Sequence, residues 1–371
     1  MLNTAALVAA LTLVAVWLVY PLTIALIARM RRPSRPIAPV QPRSISVVLA
    51  TREDEASIRA RVQDFLEAAG DDPSVEMIVA IDAASAASTG ASIAGLDPRV
   101  KVVIGDPPGG KAVTLNAGVR AASGEVVVFT DTHQRFEPGA ISRLAEALAD
   151  PEVGAASGCL ELNDQGGRSL VGMYWRFERW LRRTEARVHS SVGVTGAIYA
   201  VRKADWRPLP AGLILDDLYV PMRLVLDGRR IAWVEDARAR ETRRFTWAQE
   251  YRRKVRTLTG NFQLCAWLPG VLLPHRNPIW TQFVFHKLLR LLNPYLCAVI
   301  ALWAVARVAG WLGDVGPAAF LAAGIAVAAP LAVPRIGRAV RSLAVEGVMM
   351  QAAVFVATIN GLRGRWDVWT R

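Results

Sequence analysis

The sequence predicts an α/β domain with a mainly parallel sheet, flanked by helices that cross a membrane. Between residues 43 and 245, short apolar runs alternate with segments of helical spacing. Such alternation is typical of parallel strands covered by helices on both faces of the sheet. Acidic residues follow directly after two of the runs, and long uncharged stretches lie near both ends of the chain. These three observations indicate a cytosolic sheet domain attached to membrane segments.

Four predicted strands are short runs of apolar and β-branched residues. They are Ser44–Leu49, Glu76–Ile81, Val100–Ile104 and Glu125–Thr130. Two helices, Ala56–Ala69 and Val113–Ala122, are predicted between them from their apolar spacing. Asp82 and Asp131 then follow parallel strands at one edge of the sheet, where open α/β sheets bind ligands.

The last of these strands ends in an unusual set of side chains. The run Glu125-Val-Val-Val-Phe-Thr-Asp131-Thr-His133 passes from apolar residues to an acid, a hydroxyl and an imidazole. Asp131 and His133 can both hold a divalent metal, and that metal could hold a diphosphate. The alternative is a simple turn or a helix cap, for which Asp is well suited.

A glycine-rich segment, Pro107-Pro-Gly-Gly-Lys111, precedes the second helix. Glycines let the backbone approach a ligand closely, and Lys111 supplies a positive charge for phosphate. The spacing is not that of a Walker loop, so a plain turn with a solvated lysine is the alternative.

Hydropathy predicts where the chain meets the membrane. Ala5–Ala28 holds 24 residues without a charge, enough to cross a hydrocarbon core about 30 Å thick. Residues 1–30 are therefore predicted as a transmembrane helix. Arginines follow it at positions 29, 31, 32 and 35, which places the N-terminus outside and the next domain in the cytosol.

Three further apolar stretches predict transmembrane helices within residues 291–362. They are Leu291–Leu312, Gly316–Val333 and Ser342–Leu362. Four crossings from an outside N-terminus would leave the tail, residues 363–371, outside. The tail nevertheless carries Arg363, Arg365 and Arg371, so either one stretch lies in the interface or the count is wrong. Residues 246–290 are predicted as amphipathic helices at the membrane surface.

Composition excludes several classes of protein. The formal net charge of +12 is attributed to contact with anionic membrane lipids. Nucleic acid is not expected as a partner, because no separate basic domain carries a recognisable reader motif. Cys159, Cys265 and Cys297 show neither metal spacing nor a disulfide framework. His189, His275 and His286 likewise have no ligand spacing.

Further motifs follow one another in a fixed order along the chain. They are Ala50-Thr-Arg-Glu-Asp-Glu55, Asp82, Gly109-Gly-Lys-Ala-Val-Thr-Leu-Asn-Ala-Gly118, Gly124-Glu-Val-Val-Val-Phe-Thr-Asp131, Val194-Thr-Gly-Ala-Ile-Tyr-Ala-Val-Arg202, Leu215-Asp216-Asp217 and Arg252-Arg-Lys-Val-Arg-Thr257. This order resembles the family 2 glycosyltransferases over almost the whole chain. Within the family, the chain is most similar to membrane-embedded bacterial enzymes related to the hyaluronan, chitin and cellulose synthases.

The resemblance implies a GT-A fold, a nucleotide-diphosphate sugar donor with UDP-sugars favoured, and inversion at the anomeric carbon. It also implies roles for individual residues. Asp82 corresponds to the acid that contacts the nucleotide base, and Asp131 to the first acid of the metal-binding DxD motif. Asp217 corresponds to the general base of a Glu-Asp pair, with Asp216 in place of Glu. Lys111 would lie close to the donor.

Two positions depart from the family pattern. His133 replaces the second acid of DxD, so Mn²⁺ could use the imidazole, or Asp131 alone could anchor Mg²⁺. The QxxRW motif of processive synthases keeps Arg256, but Arg253 replaces Gln and Thr257 replaces Trp. That Trp helps form the acceptor site in the family, and its absence speaks against processive polymer synthesis.

The expected chemistry is a single displacement. One base takes the proton of the acceptor hydroxyl, and positive charge holds the leaving diphosphate. We assign the base to Asp217, with Asp216 raising its pKa or orienting it. A helix N-terminus capped by the two acids is the alternative interpretation. The divalent metal and Arg253, Lys254 or Arg256 would hold the diphosphate.

Three functions remain open from the sequence. The first is a transferase that adds one sugar to a lipid or lipid-linked glycan acceptor. The second is a processive synthase that exports its polymer, and the third is an inactive membrane scaffold. The first is favoured, as a multi-pass protein of the inner (plasma) membrane, with a homo-oligomer or a partner subunit possible because the membrane helices are few.

Overall fold

In a computed structural model, the chain is described over residues 1–31, 44–85, 93, 95–161, 170–243, 246–311 and 334–367. Within these residues, eight strands form one sheet in the order β3-β2-β1-β4-β7-β6-β8-β5. The strands are β1 (Ile45–Thr51), β2 (Val75–Ile81), β3 (Val100–Ile104), β4 (Val126–Thr130), β5 (Gln134–Phe136), β6 (Val153–Glu161), β7 (Ile198–Arg202) and β8 (Arg230–Glu241).

The helices follow the same chain order. They are α1 (Leu2–Met30), α2 (Glu55–Ala69), α3 (Lys111–Ala121), α4 (Ala140–Ala147), α5 (Leu170–Val188), α6 (Asp216–Leu226), α7 (Trp247–Trp267), α8 (Trp280–Trp311) and α9 (Pro334–Leu362). The four predicted strands and the two predicted helices all form, with ends that differ by one or two residues.

The sheet is mixed but mostly parallel, which confirms the predicted α/β class. Strands β1 to β4 pair in parallel, and so do β6 and β8. Strand β7 runs antiparallel to both β4 and β6, and β5 runs antiparallel to β8. As a result, the carboxyl ends of β1, β2 and β4 meet at one edge, where Asp82 and Asp131 follow their strands.

Both faces of the central strands are buried, which explains why β1 and β4 are continuous apolar runs. Val47 and Leu49 of β1 pack into one core, with α2 and α4, whereas Val48 packs into the other, with α3 and α6. Alternate side chains of a strand point to opposite faces, so a strand covered on both sides requires apolar residues at every position.

Three of the described helices are long and apolar enough to cross a membrane. They are Leu2–Met30, Trp280–Trp311 and Val345–Leu362. The predicted stretch Gly316–Val333 lies outside the described residues. Helix α1 also packs along α5, where Tyr20 and Ile24 of α1 contact Leu181.

Gly124 lies just before β4, and a substitution at this position tests how closely β4 packs against β1. A Cβ atom at this position would lie 2.5 Å from the backbone nitrogen of Ser46. Because backbone cannot move aside as a side chain can, we expect Gly124→Ala to destabilise the protein by about 1–3 kcal/mol. Thermal unfolding in detergent measures this change. The control is Gly95→Ala, since a Cβ at Gly95 meets nothing within 4 Å; equal melting temperatures for the two variants would contradict the expectation.

Candidate active site

The carboxyl edge of the sheet carries a connected set of polar side chains. Thr51 and Thr132, at the ends of β1 and β4, share a hydrogen bond of 2.9 Å between their hydroxyl oxygens. The backbone nitrogen of Asp82 donates to the carbonyl oxygen of Thr51 over 2.8 Å. The ends of the three parallel strands are therefore tied together before any ligand is bound.

Asp82 organises the glycine-rich segment that precedes α3. Its Oδ1 accepts a hydrogen bond from the backbone nitrogen of Ala84 at 2.9 Å, and its Oδ2 accepts one from that of Gly110 at 2.8 Å. Gly109 has a φ of +90°, and a Cβ there would lie 2.7 Å from Oδ1 of Asp82. Only glycine suits that position. Asp82 thus fixes the path of the backbone that delivers Lys111, a role that the sequence had not indicated.

Lys111, the first residue of α3, lies between two carboxylates from different parts of the chain. Its Nζ is 3.2 Å from Oδ1 of Asp131 and 3.1 Å from Oδ1 of Asp216. Burial by itself would lower the pKa of Lys111, but attraction to Asp131, Asp216 and Asp217 outweighs it, and the pKa is raised. The ammonium group is therefore a permanent charge of the site rather than a solvated turn lysine.

Asp216 and Asp217 are the first two residues of α6 and have different surroundings. Asp216 is buried and accepts a hydrogen bond of 3.2 Å from the hydroxyl of Tyr199, in addition to its ion pair with Lys111. Asp217 faces Gly196, where a Cβ would lie 2.9 Å from Oδ2 of Asp217. No side chain caps α6, whose N-cap residue is Leu215. The two acids belong to its first turn, where Asp216 pairs with Lys111 and Asp217 faces Gly196.

The surroundings of Asp217 bring its pKa closer to neutral pH. Burial and then repulsion from Asp216 raise its pKa to about 6, against the opposing attraction of Lys111, Arg182 and Arg256. A carboxylate with a pKa near the working pH is well suited to accept a proton in a reaction. Asp217 has this property chiefly because it is removed from solvent beside Asp216.

Helix α7 brings basic residues towards the same edge of the sheet. It begins with a capping box, in which Thr246 and Gln249 exchange hydrogen bonds. Arg256 lies close enough to Asp131 and Asp217 to interact with both electrostatically, while burial lowers its pKa. Arg253, one turn earlier, lies 3.7 Å from Glu250. Of the two predicted donor-binding arginines, Arg256 thus lies nearer the acids of the site.

His133 lies beside Glu53, which follows β1, and not among the acids of the site. Its Nε2 is 3.3 Å from Oε1 of Glu53, and Arg243 lies 3.5 Å from the same oxygen. Among the described residues, no group of three or more His, Cys, Asp and Glu side chains could hold a metal ion. A metal at Asp131 would therefore need oxygen atoms from a bound phosphate and from water to complete its coordination, which Mg²⁺ commonly accepts.

The geometry at this edge of the sheet agrees with comparisons against known protein families. The family described as Glycosyl transferase family 2 matches residues 46–205, and Glycosyl transferase family group 2 matches residues 126–333, more than half of the chain. The chain belongs to the family 2 glycosyltransferases. It is therefore an enzyme that transfers a sugar from a nucleotide-sugar donor.

A solved structure shares the fold of this glycosyltransferase. It is the mannosyltransferase PcManGT from Pyrobaculum calidifontis in complex with GDP-Man and Mn²⁺, with a TM-score of 0.71 and 21% identity over 98% of this chain and 100% of that one. The similarity confirms the predicted GT-A fold. A crystal structure of a mycobacterial protein is 19% identical over 60% of this chain and 74% of that one, with a TM-score of 0.42. No curated protein matches the chain significantly.

Two residues of the glycosyltransferase site were not found from the sequence. Tyr199 lies within an apolar strand, and nothing in its spacing shows that its hydroxyl reaches Asp216. Arg61 is fully buried beneath the end of β4, where it donates to Oγ1 of Thr130 over 2.9 Å and forms an ion pair with Asp64. The sequence did contain a sign that Arg61 is buried, because Arg61 shares the apolar face of α2 with Ile58 and Phe65.

The pKa of Asp217 sets an expected pH dependence. If Asp217 acts as the base, it must be deprotonated, so kcat falls as the pH drops through about 6. Lys111→Gln removes a cation that lowers this pKa, so the acidic limb of the profile moves to higher pH. The measurement is kcat against pH at saturating donor. Lys101→Gln, on the outer strand β3, serves as a control that leaves the limb in place; an unmoved limb in Lys111→Gln would contradict the coupling.

Proposed function

We propose that this glycosyltransferase adds a single sugar to a membrane-associated lipid or lipid-linked glycan acceptor, with inversion at the anomeric carbon. The observation that carries the proposal is the unequal pair at the start of α6. Asp216 is held by Lys111 and Tyr199, and Asp217 is left with a raised pKa. A displacement needs one fixed charge near the donor and one base for the acceptor, and the pair supplies both.

Asp217 takes the proton of the acceptor hydroxyl during the displacement. As that proton leaves, the acceptor oxygen forms a bond to the anomeric carbon, and the bond from this carbon to the phosphate oxygen breaks. Attack from the face opposite the leaving group inverts the configuration. The small residue at Gly196 leaves open space at Oδ2 of Asp217, where a larger side chain would collide with the base.

The leaving diphosphate takes up negative charge, which the cations at the sheet edge stabilise. Lys111 remains protonated throughout, and Arg256 adds a second positive charge near Asp131. Arg253 is assigned to the donor as well, from the same helix. Asp82 binds the nucleotide base in this proposal, and its hydrogen bond to Gly110 keeps the phosphate-facing loop in position.

Asp131 is the residue that would hold a divalent metal. A bound Mn²⁺ or Mg²⁺ would neutralise the diphosphate charge. The residues present fit this group, because one carboxylate together with phosphate oxygens and water suffices for such an ion. His133 would be the second protein ligand, in competition with its contact to Glu53.

Single addition is favoured over processive synthesis by the position that replaces the family's tryptophan. Thr257 is exposed, and its hydroxyl donates back to the carbonyl oxygen of Arg253 at 2.9 Å. It offers no aromatic surface on which a growing polymer could stack. In other respects, the order of motifs supports, as part of this proposal, a relation to the hyaluronan, chitin and cellulose synthases.

The protein would work at the cytosolic face of the plasma membrane, in the synthesis of cell-surface polysaccharide or glycolipid. The arginines after α1 favour a cytosolic sheet domain, residues 43–245, between membrane segments. The direct test is release of nucleotide diphosphate from a panel of UDP- and GDP-sugars by the protein in nanodiscs. GDP-mannose belongs in the panel because PcManGT, which has the same fold, binds it. Sizing the product then separates single addition from polymer.

Asp217→Asn tests the base. We expect transfer to fall by about 10²–10⁴-fold, while binding of the nucleotide sugar stays nearly intact, because the amide keeps the shape but cannot take a proton. Transfer is followed by labelled product and donor binding by calorimetry. The matched control is Asp227→Asn at the other end of α6, where the acid pairs at the surface with Arg207. Normal transfer by Asp217→Asn would rule out the assignment.

His133→Ala tests the second metal ligand. Since borderline ions accept nitrogen more readily than Mg²⁺ does, we expect activation by Mn²⁺ to fall more than activation by Mg²⁺. Activity is titrated with each metal separately. Glu53→Gln is the control, since it breaks the contact with His133 but leaves the imidazole free to bind. An unchanged metal preference in His133→Ala would show that His133 is not a ligand.

A further inference from the structure

A second group of charged residues lies where the catalytic domain meets the membrane helices. We call it the junction cluster, and it consists of Arg182 and Glu178 of α5, Lys254 of α7, and Lys287 and Arg290 of α8. Three helices thus place four cations around one carboxylate. The sequence does not show this arrangement, because α5 lies far along the chain from α7 and α8.

Glu178 alone serves three of the four cations. Its carboxylate oxygens lie 2.8 Å from Nη1 of Arg290, 3.5 Å from Nζ of Lys287 and 3.8 Å from Nε of Arg182. Burial would raise the pKa of Glu178, but His286, Lys287 and Arg290 together hold it well below its usual range. Glu178 is therefore ionised and fully engaged.

Lys254 has no carboxylate within 4 Å among the described residues. Its Nζ instead lies 4.9 Å from the centre of the Tyr174 ring. Burial lowers its pKa, against partial compensation from Glu250. In addition, the Nε atoms of Arg182 and Arg290 are buried without a hydrogen-bond partner within the described residues. The junction cluster thus sets four cations, one buried and three half-buried, against its one carboxylate.

Two other acids near these cations are already bound elsewhere. Glu250, which attracts Lys254, lies 3.7 Å from Arg253, and Glu185 pairs with His286. Both oxygens of Glu185 are 2.9 Å from Nδ1 of His286, and Oε1 also accepts a hydrogen bond from the hydroxyl of Tyr20. Nε2 of His286 in turn lies 2.6 Å from Glu178. Tyr20, Glu185 and His286 thus use their polar atoms on one another and on Glu178. Burying unpaired charge is costly, so an anion at the cluster would relieve that cost.

The cluster is connected to the proposed base through Arg182. Nη1 of Arg182 donates to the carbonyl oxygen of Val194 over 3.4 Å, and the backbone nitrogen of Val194 donates to the carbonyl oxygen of Asp217 over 2.9 Å. Arg182 also lowers the pKa of Asp217. The side of Asp217 that faces α5 is thus positively charged, and Lys111 and Asp131 occupy the side assigned to the donor.

The backbone supports a functional interpretation of this junction. Helices α1 and α8 each widen into a π-helical turn, Ala15–Val19 and Val284–Leu288. These turns carry Trp17, over which the guanidinium of Arg290 lies at 4.5 Å, and Lys287. Single π-helical turns within α-helices are rare and are frequent at functional sites. Both membrane helices thus deform where they supply side chains to the cluster.

We propose that Arg182, Lys254, Lys287 and Arg290 bind the phosphate or diphosphate group of a membrane-anchored acceptor. The proposal rests on the proposed function and specifies its acceptor as a phosphorylated lipid. A phosphate there would meet four cations at the end of the membrane helices, with its lipid chain beside α1 and α8. The acceptor hydroxyl would then lie towards Asp217, on the side opposite the donor.

The test is direct binding of a radiolabelled polyprenyl phosphate to the full-length protein in nanodiscs of zwitterionic phosphatidylcholine, without any sugar donor. We expect saturable binding by the wild type, and binding weakened about tenfold or more in both Lys287→Gln and Lys254→Gln, since each loses a charged contact to phosphate. Uncharged polyprenol should not compete. Equal binding by the wild type and both variants would overturn the proposal.

Three further variants distinguish loss of the phosphate-binding site from misfolding and from loss of the proposed catalytic base. Arg276→Gln removes an exposed cation near the same membrane helix and should bind normally. Lys287→Arg keeps the charge and should retain binding, and each Gln variant should keep its affinity for nucleotide sugar. Asp217→Asn should bind polyprenyl phosphate like the wild type. Binding by this variant therefore tests the acceptor site without depending on whether Asp217 is the base.

A bulk phospholipid could offer the same phosphate chemistry. Repeating the binding in nanodiscs that contain phosphatidylglycerol distinguishes the two sources. Unchanged binding supports the acceptor assignment. Displacement of polyprenyl phosphate by phosphatidylglycerol, with the same sensitivity to Lys254→Gln, would overturn it and make the cluster a site for anionic membrane lipid.

Discussion

The ammonium group of Lys111, shared between Asp131 and Asp216, is the interaction on which the site depends. It joins the end of β4, the start of α3 and the start of α6 through two contacts of 3.2 and 3.1 Å. Without it, two carboxylates would face each other in a partly buried place, where charges interact far more strongly than in water. The glycines before Lys111 and the hydrogen bonds of Asp82 serve to deliver this one side chain.

That ion pair also explains how two adjacent acids come to differ. Asp216 is fixed by Lys111 and Tyr199. Burial, and then repulsion from Asp216, raises the pKa of Asp217, and Lys111 and Arg256 limit the rise. Two carboxylates separated in this way can hold opposite roles at one pH. The first turn of α6 is thus arranged for chemistry, although its residues resemble those of many helix starts.

The long apolar helices α1 and α8 pack against the catalytic domain. Helix α5 packs against α1 on one side and carries Glu178, Arg182 and Glu185, which contact α8 and the loop before β7. A shift of α1 or α8 would therefore reach the surroundings of Asp217 through hydrogen bonds and ion pairs. The proposed acceptor site at this junction would let a substrate held in the lipid meet Asp217 in the sheet domain.

The sequence by itself determined the parallel half of the sheet, its binding edge and the acids on that edge. Strands buried on both faces must be apolar at every position, so β1, β2 and β4 can be recognised in the sequence as apolar runs. The acids directly after two of these runs are then predicted to lie at the edge of the sheet. The sequence did not determine β5 and β8, which mix polar and apolar positions, or the short β7 and the small-residue strand β6, or the partners of Tyr199, Arg61 and His286. His286 lies 101 residues from Glu185 and 108 from Glu178. Contacts over such separations leave no local pattern, because they depend on how helices pack together, and only the tertiary structure decided them.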